Sequence, residues 1–186
     1  SEIAPQVVTA VQEQLRGTGD AVRSGLVGLG ELAGDVVVTS GDVPLLTGDT
    51  LRGLVEAHRG EGNAVTVLTT IAADPTGYGR IVRDGGEVTR IVEQRDAGET
   101  ERAITEINAG IYVFDAQVLQ AGIADLSDDN AQGELYLTDV IGFARGLGRR
   151  VGGSVLTDAL QAEGVNDRIQ LAALSTELNR RILRRW

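Results

Sequence analysis

Short apolar runs separated by amphipathic stretches make up most of the chain. Asp35–Thr39 and Ala64–Ile71 are apolar or β-branched runs bounded by turn residues, the pattern of strands buried on both faces. Asp49–Arg59 carries Leu51, Leu54, Val55 and His58 at helical spacing, with Asp49 as candidate N-cap. Arg80–Arg83 and Val88–Glu93 flank Asp84-Gly85-Gly86, a hairpin signal. Further strands are predicted at Val7–Val11, Ile107–Phe114 and Val151–Leu156. Helices are predicted at Asp20–Leu32, weakened by Gly25, Gly28 and Gly30, and at Asp115–Gly122 and Thr138–Leu147. A last helix opens at Asn166, with Leu171, Leu174, Leu178 and Ile182 along one stripe. Its basic end, Arg180 to Trp186, suits the negative end of the helix dipole. This alternation argues for an α/β fold with a mostly parallel sheet and an inserted β-hairpin. No repeat, linker or low-complexity stretch divides the chain.

Composition narrows the picture. A chain of 186 residues is long enough for one domain with a core, and with only 3% aromatics that core is built from Val, Leu, Ile and Ala. The 17 basic residues are all Arg and face 27 acidic ones, a net charge of −10. An acidic chain without a basic run argues against nucleic-acid or membrane partners. The absence of Cys excludes disulfides and thiolate metal sites and fits a cytoplasmic protein. No apolar run has the length of a membrane span, and no signal peptide is present. The chain contains no Met and starts at Ser1 in what reads as mid-domain sequence, so a fragment of a longer protein is expected.

Several residues carry candidate chemistry. Asp42 directly follows a buried strand, and ligands in open α/β sheets bind beyond the carboxyl ends of strands. A carboxylate there either holds Mg²⁺ or closes an Asx turn before Pro44. Asn166 is either an N-cap or an amide ligand to the same metal. Gly77-Tyr78-Gly79-Arg80 either brings backbone close to a ligand or turns into the hairpin. Glu93 and Asn108 lie at the ends of apolar runs, where their polar groups suit sugar hydroxyls in a cleft, or else solvent. Gln12, Gly17 and Thr18 either read a base and ribose or form an ordinary strand and turn. His58, the lone histidine, reads as a packing or surface residue, and Asp125, Asp128 and Asp129 as a solvated loop.

The blocks Val36–Leu45, Gly77–Ile81, Ile91–Glu93, Glu106–Gly110, Asn130–Asp139 and Glu163–Arg168 follow one another in this order, in a resemblance that runs over nearly the whole chain. They resemble the uridyltransferase domain of the bacterial bifunctional N-acetylglucosamine-1-phosphate uridyltransferase/glucosamine-1-phosphate acetyltransferase. Val36–Leu46 and Val65–Thr70 resemble its actinobacterial, including mycobacterial, members. The resemblance implies a Rossmann-like nucleotidyltransferase sheet. It also implies transfer of uridylyl from UTP to N-acetylglucosamine 1-phosphate, giving UDP-N-acetylglucosamine, a cell-wall precursor, and pyrophosphate. Asp42 and Asn166 match the family's Mg²⁺ ligands, and Gly79, Glu93 and Asn108 its N-acetylglucosamine contacts. Gln12, Gly17 and Thr18 match uridine-side contacts, and Tyr136 and Thr138 a motif lining the sugar pocket.

Three departures accompany the resemblance. The family's first βα unit, with its Leu-Ala-Ala-Gly-x-Gly-Thr-Arg loop and a later Lys that hold the triphosphate, is missing. Asp20 stands where the family has His. The β-helix repeats of the acetyltransferase domain, through which full-length members form homotrimers, are absent. The expected organisation is a partial nucleotidyltransferase domain over residues 1–166 and, over 167–186, a helix leading toward that absent domain. Incomplete activity is expected of such a chain. The alternatives are another sugar-1-phosphate nucleotidyltransferase and a catalytically silent sugar-nucleotide-binding fragment.

Overall fold

A computed structural model describes residues 7–184; residues 1–6 and the final Arg185 and Trp186 of the basic end lie outside that description. The elements are α1 (Thr18–Leu26), β1 (Asp35–Val38), α2 (Gly48–Glu61), β2 (Val65–Ile71), β3 (Arg80–Asp84), β4 (Glu87–Val92), α3 (Glu99–Arg102), β5 (Glu106–Asp115), α4 (Ala116–Asp125), α5 (Asp139–Gly146), β6 (Val151–Leu156) and α6 (Arg168–Leu183). A 3₁₀ turn, Ala159–Ala162, follows β6. Among the described residues, no helix is long and apolar enough to cross a membrane.

The strands form one sheet in the order β4-β3-β5-β2-β6, and β1 pairs with β5. β1, β2, β3 and β6 run in one direction, against β4 and β5. The α/β class, the shared direction of most strands and the inserted hairpin therefore hold. Parallel pairing does not dominate, however: β2–β6 is the one parallel pair described. The physical reason is that β5 runs against β1, β2 and β3 and takes the central place among them. The hairpin closes through Gly85 and Gly86 at φ 56° and 90°, the positive angles that a tight two-residue turn requires.

Side-chain alternation explains the two-sided core. Along β5, Tyr112 and Phe114 join Val65 and Val67 of β2 under α4 and α5, against Val118, Leu119, Val140 and Ile141. Ile111 and Val113 face the other way, with Leu68, onto Leu54 of α2. His58 lies in that second layer, 3% exposed, with Nδ1 2.9 Å from the Thr66 hydroxyl, so it is a packing residue.

Four local expectations change. Val7–Val11 forms no strand; Val8 and Val11 are 67% and 81% exposed, and apolar spacing without a sheet neighbour does not make a strand. The helix expected over Asp20–Leu32 starts at Thr18 and stops at Leu26, ahead of Gly28 and of Gly30 at φ 67°. The N-cap of α2 is Thr47, not Asp49: its side chain accepts from the Thr50 N–H. The cap of α6 is Asp167, which accepts from the N–H groups of Ile169 and Gln170, and not Asn166.

Candidate active-site cleft

The cleft exists because the sheet forks. One flank of β5 pairs continuously enough with β2, but the other is shared. β1 takes Tyr112–Asp115, and β3 meets β5 at Arg80–Ile107. Between those contacts β5 bulges: two steps along β2, Val67 to Thr69, span Tyr112 to Asn108 on β5. Gly110 sits in the bulge at φ 72°, and its N–H donates to the Asn108 Oδ1 at 2.9 Å. Bulges beside functional sites re-aim side chains in this way. The gap between the end of β1 and the start of β3 opens into a cleft of about 500 Å³.

One wall of the cleft is interlocked. Gly79 precedes β3, and its carbonyl accepts the Asn108 N–H at 2.9 Å. A Cβ at Gly79 would lie 2.8 Å from the Ile91 Cγ2 and 3.2 Å from the Glu93 Oε1, so the absence of a side chain lets the Glu93 carboxylate lie against the strand. The Thr138 hydroxyl donates to the Glu93 Oε1 at 3.4 Å. The Asn108 Nδ2 donates to the Tyr112 hydroxyl at 2.6 Å. Burial pushes the Glu93 carboxyl above the usual carboxylate range. The Thr138 hydroxyl opposes that shift, and the negative charges of Asp96, Asp139 and Glu134 add to it. Burial also pushes the Tyr112 phenol up, so it stays a protonated donor and acceptor.

The opposite lip is open. Asp42 leaves the carboxyl end of β1, and Asn166 comes from the segment before α6; both are exposed and line the cleft. A backbone bond joins the two segments, from the Val165 N–H to the Asp42 carbonyl at 2.9 Å. Gly164 lets them touch, since a Cβ there would sit 3.1 Å from the Asp42 Oδ2. Because Asp167 caps α6, the Asn166 side chain is not used as a cap. Among the described residues, the Asp42 carboxylate takes part in no hydrogen bond, and no group of three or more His, Cys, Asp or Glu gathers as a metal cage. A carboxylate and an amide oxygen at one lip suit a hard cation that keeps waters or substrate oxygens as its other ligands.

Seven of the ten candidate residues line this one cleft: Thr18, Asp42, Gly79, Glu93, Asn108, Thr138 and Asn166. Gln12, Gly17 and Tyr136 are not among the residues that line it. Gln12 donates from Nε2 to the Gly17 carbonyl and to the Asp20 Oδ2 at 2.8 Å. Gly17, at φ 100°, and Gly19 press against the segment leading to α5; the Gly19 N–H donates to the Leu135 carbonyl at 2.8 Å. Asp20 is buried and paired with Arg23. Tyr136 is buried, with its hydroxyl accepting from the Gln132 Nε2 and donating to the Asp96 Oδ2. The cleft also recruits Tyr78, from the Gly77–Arg80 block, and Ser40, Gly110 and Tyr112, whose side chains or backbone were given no role of their own. Tyr112 carried a signal: it is the one hydroxylated side chain in the Ile107–Phe114 run.

Residues 1–150 match the family model for nucleotidyl transferases. The chain belongs to the nucleotidyl transferase family. It is 56% identical over 193 aligned residues to bifunctional protein GlmU of Cutibacterium acnes, covering all of this chain and 46% of that protein. It is 55% identical over 186 residues to GlmU of Streptomyces coelicolor, covering 98% of this chain and 39% of that protein. The chain thus spans less than half the length of these curated relatives. Two solved structures share the fold. A glucose-1-phosphate thymidylyltransferase of Bacillus anthracis has a TM-score of 0.65 at 22% identity, over 89% of this chain and 62% of its own. An apo UDP-glucose pyrophosphorylase has a TM-score of 0.56 at 17% identity, over 77% and 54%.

Proposed function

We propose that this cleft is the sugar-nucleotide part of a site that transfers uridylyl from UTP to N-acetylglucosamine 1-phosphate, in the cytoplasm, for cell-wall precursor synthesis. The observation that carries the reading is convergence. Residues from six separated segments, matched by resemblance to metal and sugar contacts, line one cleft in a chain 56% identical to bifunctional protein GlmU.

The chemistry needs no covalent enzyme intermediate. A phosphate oxygen of the sugar phosphate attacks the α-phosphorus of UTP, the bond to the β-phosphate breaks, and pyrophosphate leaves with the bonding pair. Catalysis is then positioning and charge neutralisation. Glu93 and Asn108 supply acceptors and a donor to the sugar's hydroxyl and amide groups. Gly79 brings backbone close to the ring, and Tyr112 fixes the Asn108 amide through its hydroxyl. Mg²⁺, when bound at Asp42 and Asn166, supplies charge neutralisation at phosphate oxygens.

One observation favours a second reading, sugar-nucleotide binding without turnover. Among the described residues lining the cleft, none is basic, so nothing there neutralises a triphosphate. Calorimetric titration with UDP-N-acetylglucosamine, alongside an assay of UTP-dependent pyrophosphate release, separates the readings. Binding that Asn108→Ala weakens by roughly 1–3 kcal/mol, from an unpaired sugar group, is expected. Binding without pyrophosphate release favours the second reading, and no binding contradicts both.

A further inference from the structure

Tyr136 poses a question, because the resemblance puts it at the sugar pocket while in the structure it is not among the residues that line the cleft. Its hydroxyl leads to Asp96, a residue that the sequence did not single out and that does not line the cleft. Asp96 closes the turn that follows β4: its N–H donates to the Glu93 carbonyl at 3.0 Å. Its side chain then reaches the opposite loop. The Ala131 N–H donates to the Asp96 Oδ1 at 2.9 Å, and the Tyr136 hydroxyl donates to the Oδ2 at 3.2 Å.

That loop leads straight to Thr138. Asn130 shapes it from within, donating to the Glu134 carbonyl and accepting from the N–H groups of Gln132 and Glu134. Its far side is fastened to α1 through Leu135 and Leu137. On the hairpin side, the described hydrogen bonds are those to Asp96 and the long 3.4 Å bond from Thr138 to Glu93. A bond of that length tightens or breaks with a shift of a few tenths of an ångström, so loop placement decides it.

We propose that Asp96 is a positioning residue for the sugar end of the cleft, tying the Asn130–Leu137 loop to the β4 turn and thereby setting the Glu93–Thr138 pair. Tyr136 acts through Asp96 and not by touching the ligand. This rests on the reading that the cleft takes a sugar nucleotide.

Two variants and two ligands test it. Asp96→Asn keeps the size and one acceptor. Tyr136→Phe keeps the buried ring and drops only the hydroxyl. In calorimetric titrations of the full chain, both variants should bind UDP-N-acetylglucosamine roughly fivefold more weakly, the loss of about one hydrogen bond. Both should bind UDP with unchanged affinity. A merely structural role would weaken both ligands together and lower the melting temperature, and that result overturns the proposal. Unchanged affinity for both ligands in folded variants overturns it as well. A wild-type chain that binds no UDP-N-acetylglucosamine sinks the functional reading and the proposal together, whereas wild-type binding with unaffected variants sinks the proposal alone.

Discussion

The two sides of the cleft are built differently. On the interlocked wall, proposed to take the sugar, Gly79, Glu93, Asn108 and Thr138 are joined to one another or to Tyr112 by hydrogen bonds and close packing. On the open lip, Asp42 and Asn166 are exposed, and their segments meet through one backbone hydrogen bond and the approach of the Asp42 carboxylate to Gly164. A wall whose groups are already held loses little freedom when a ligand arrives, which favours selectivity. A lip of exposed oxygens is completed by what binds there, which suits a cation carried in with phosphates. Changes at the lip should therefore cost turnover without stability, and changes at the wall should cost both.

Asp42→Ala is expected to have the largest effect, a fall in uridylyl transfer by the intact enzyme of about 100-fold or more, because a bound metal would contribute several kcal/mol to the transition state. Its melting temperature should barely move, since exposed substitutions are usually worth within about 0.5 kcal/mol. Near-normal rates at saturating Mg²⁺, or a large loss of stability, would break the comparison from the lip side.

Gly79→Ala comes next. The new Cβ must displace Ile91 or the Glu93 carboxylate, and overpacking of that kind costs about 1–3 kcal/mol. Thermal melting and UDP-N-acetylglucosamine titration should both show the loss. A variant as stable and as tight as wild type would mean that the wall is not close-packed there.

The smallest effect concerns pH. Burial, with Asp96, Asp139 and Glu134, raises the Glu93 carboxyl in the folded state. The folded chain therefore holds a proton that the unfolded chain releases. That contribution is full below the usual Glu range and is lost as pH rises through the folded value. Gln cannot lose it. The melting temperature of Glu93→Gln relative to wild type should accordingly rise as pH increases upward from the usual Glu range. A difference that stays flat over that increase would show that Glu93 ionises freely in the wall.

What the sequence disclosed depended on how local each feature is. The hairpin and β6 were legible because turn glycines and alternation act over a few residues. The fork was not, because it arises from two strands sharing one flank of β5, a tertiary fact. Asn166 and Asp167 are adjacent and chemically alike as caps, so spacing did not say which one caps α6 and which one faces the cleft. Gly17 could be read from the sequence as a base-side contact or as an ordinary turn; its close approach, with that of Gly19, to the Leu135 segment required the fold. Asp42 was legible as the residue just past a strand, but that strand is not buried on both faces as its apolar run suggested: among the described residues β1 lies beside only one neighbour, β5, and Val37 is 41% exposed. The meeting of Asp42 with Gly164 and Asn166 required the fold.

The division of labour between wall and lip is tested most directly by titrating UDP-N-acetylglucosamine with and without Mg²⁺ into the wild-type chain, Asp42→Ala and Asn108→Ala. The account predicts that Mg²⁺ strengthens binding in the wild type and in Asn108→Ala, which is weaker throughout, and has no effect in Asp42→Ala. A Mg²⁺ effect that survives in Asp42→Ala would contradict it.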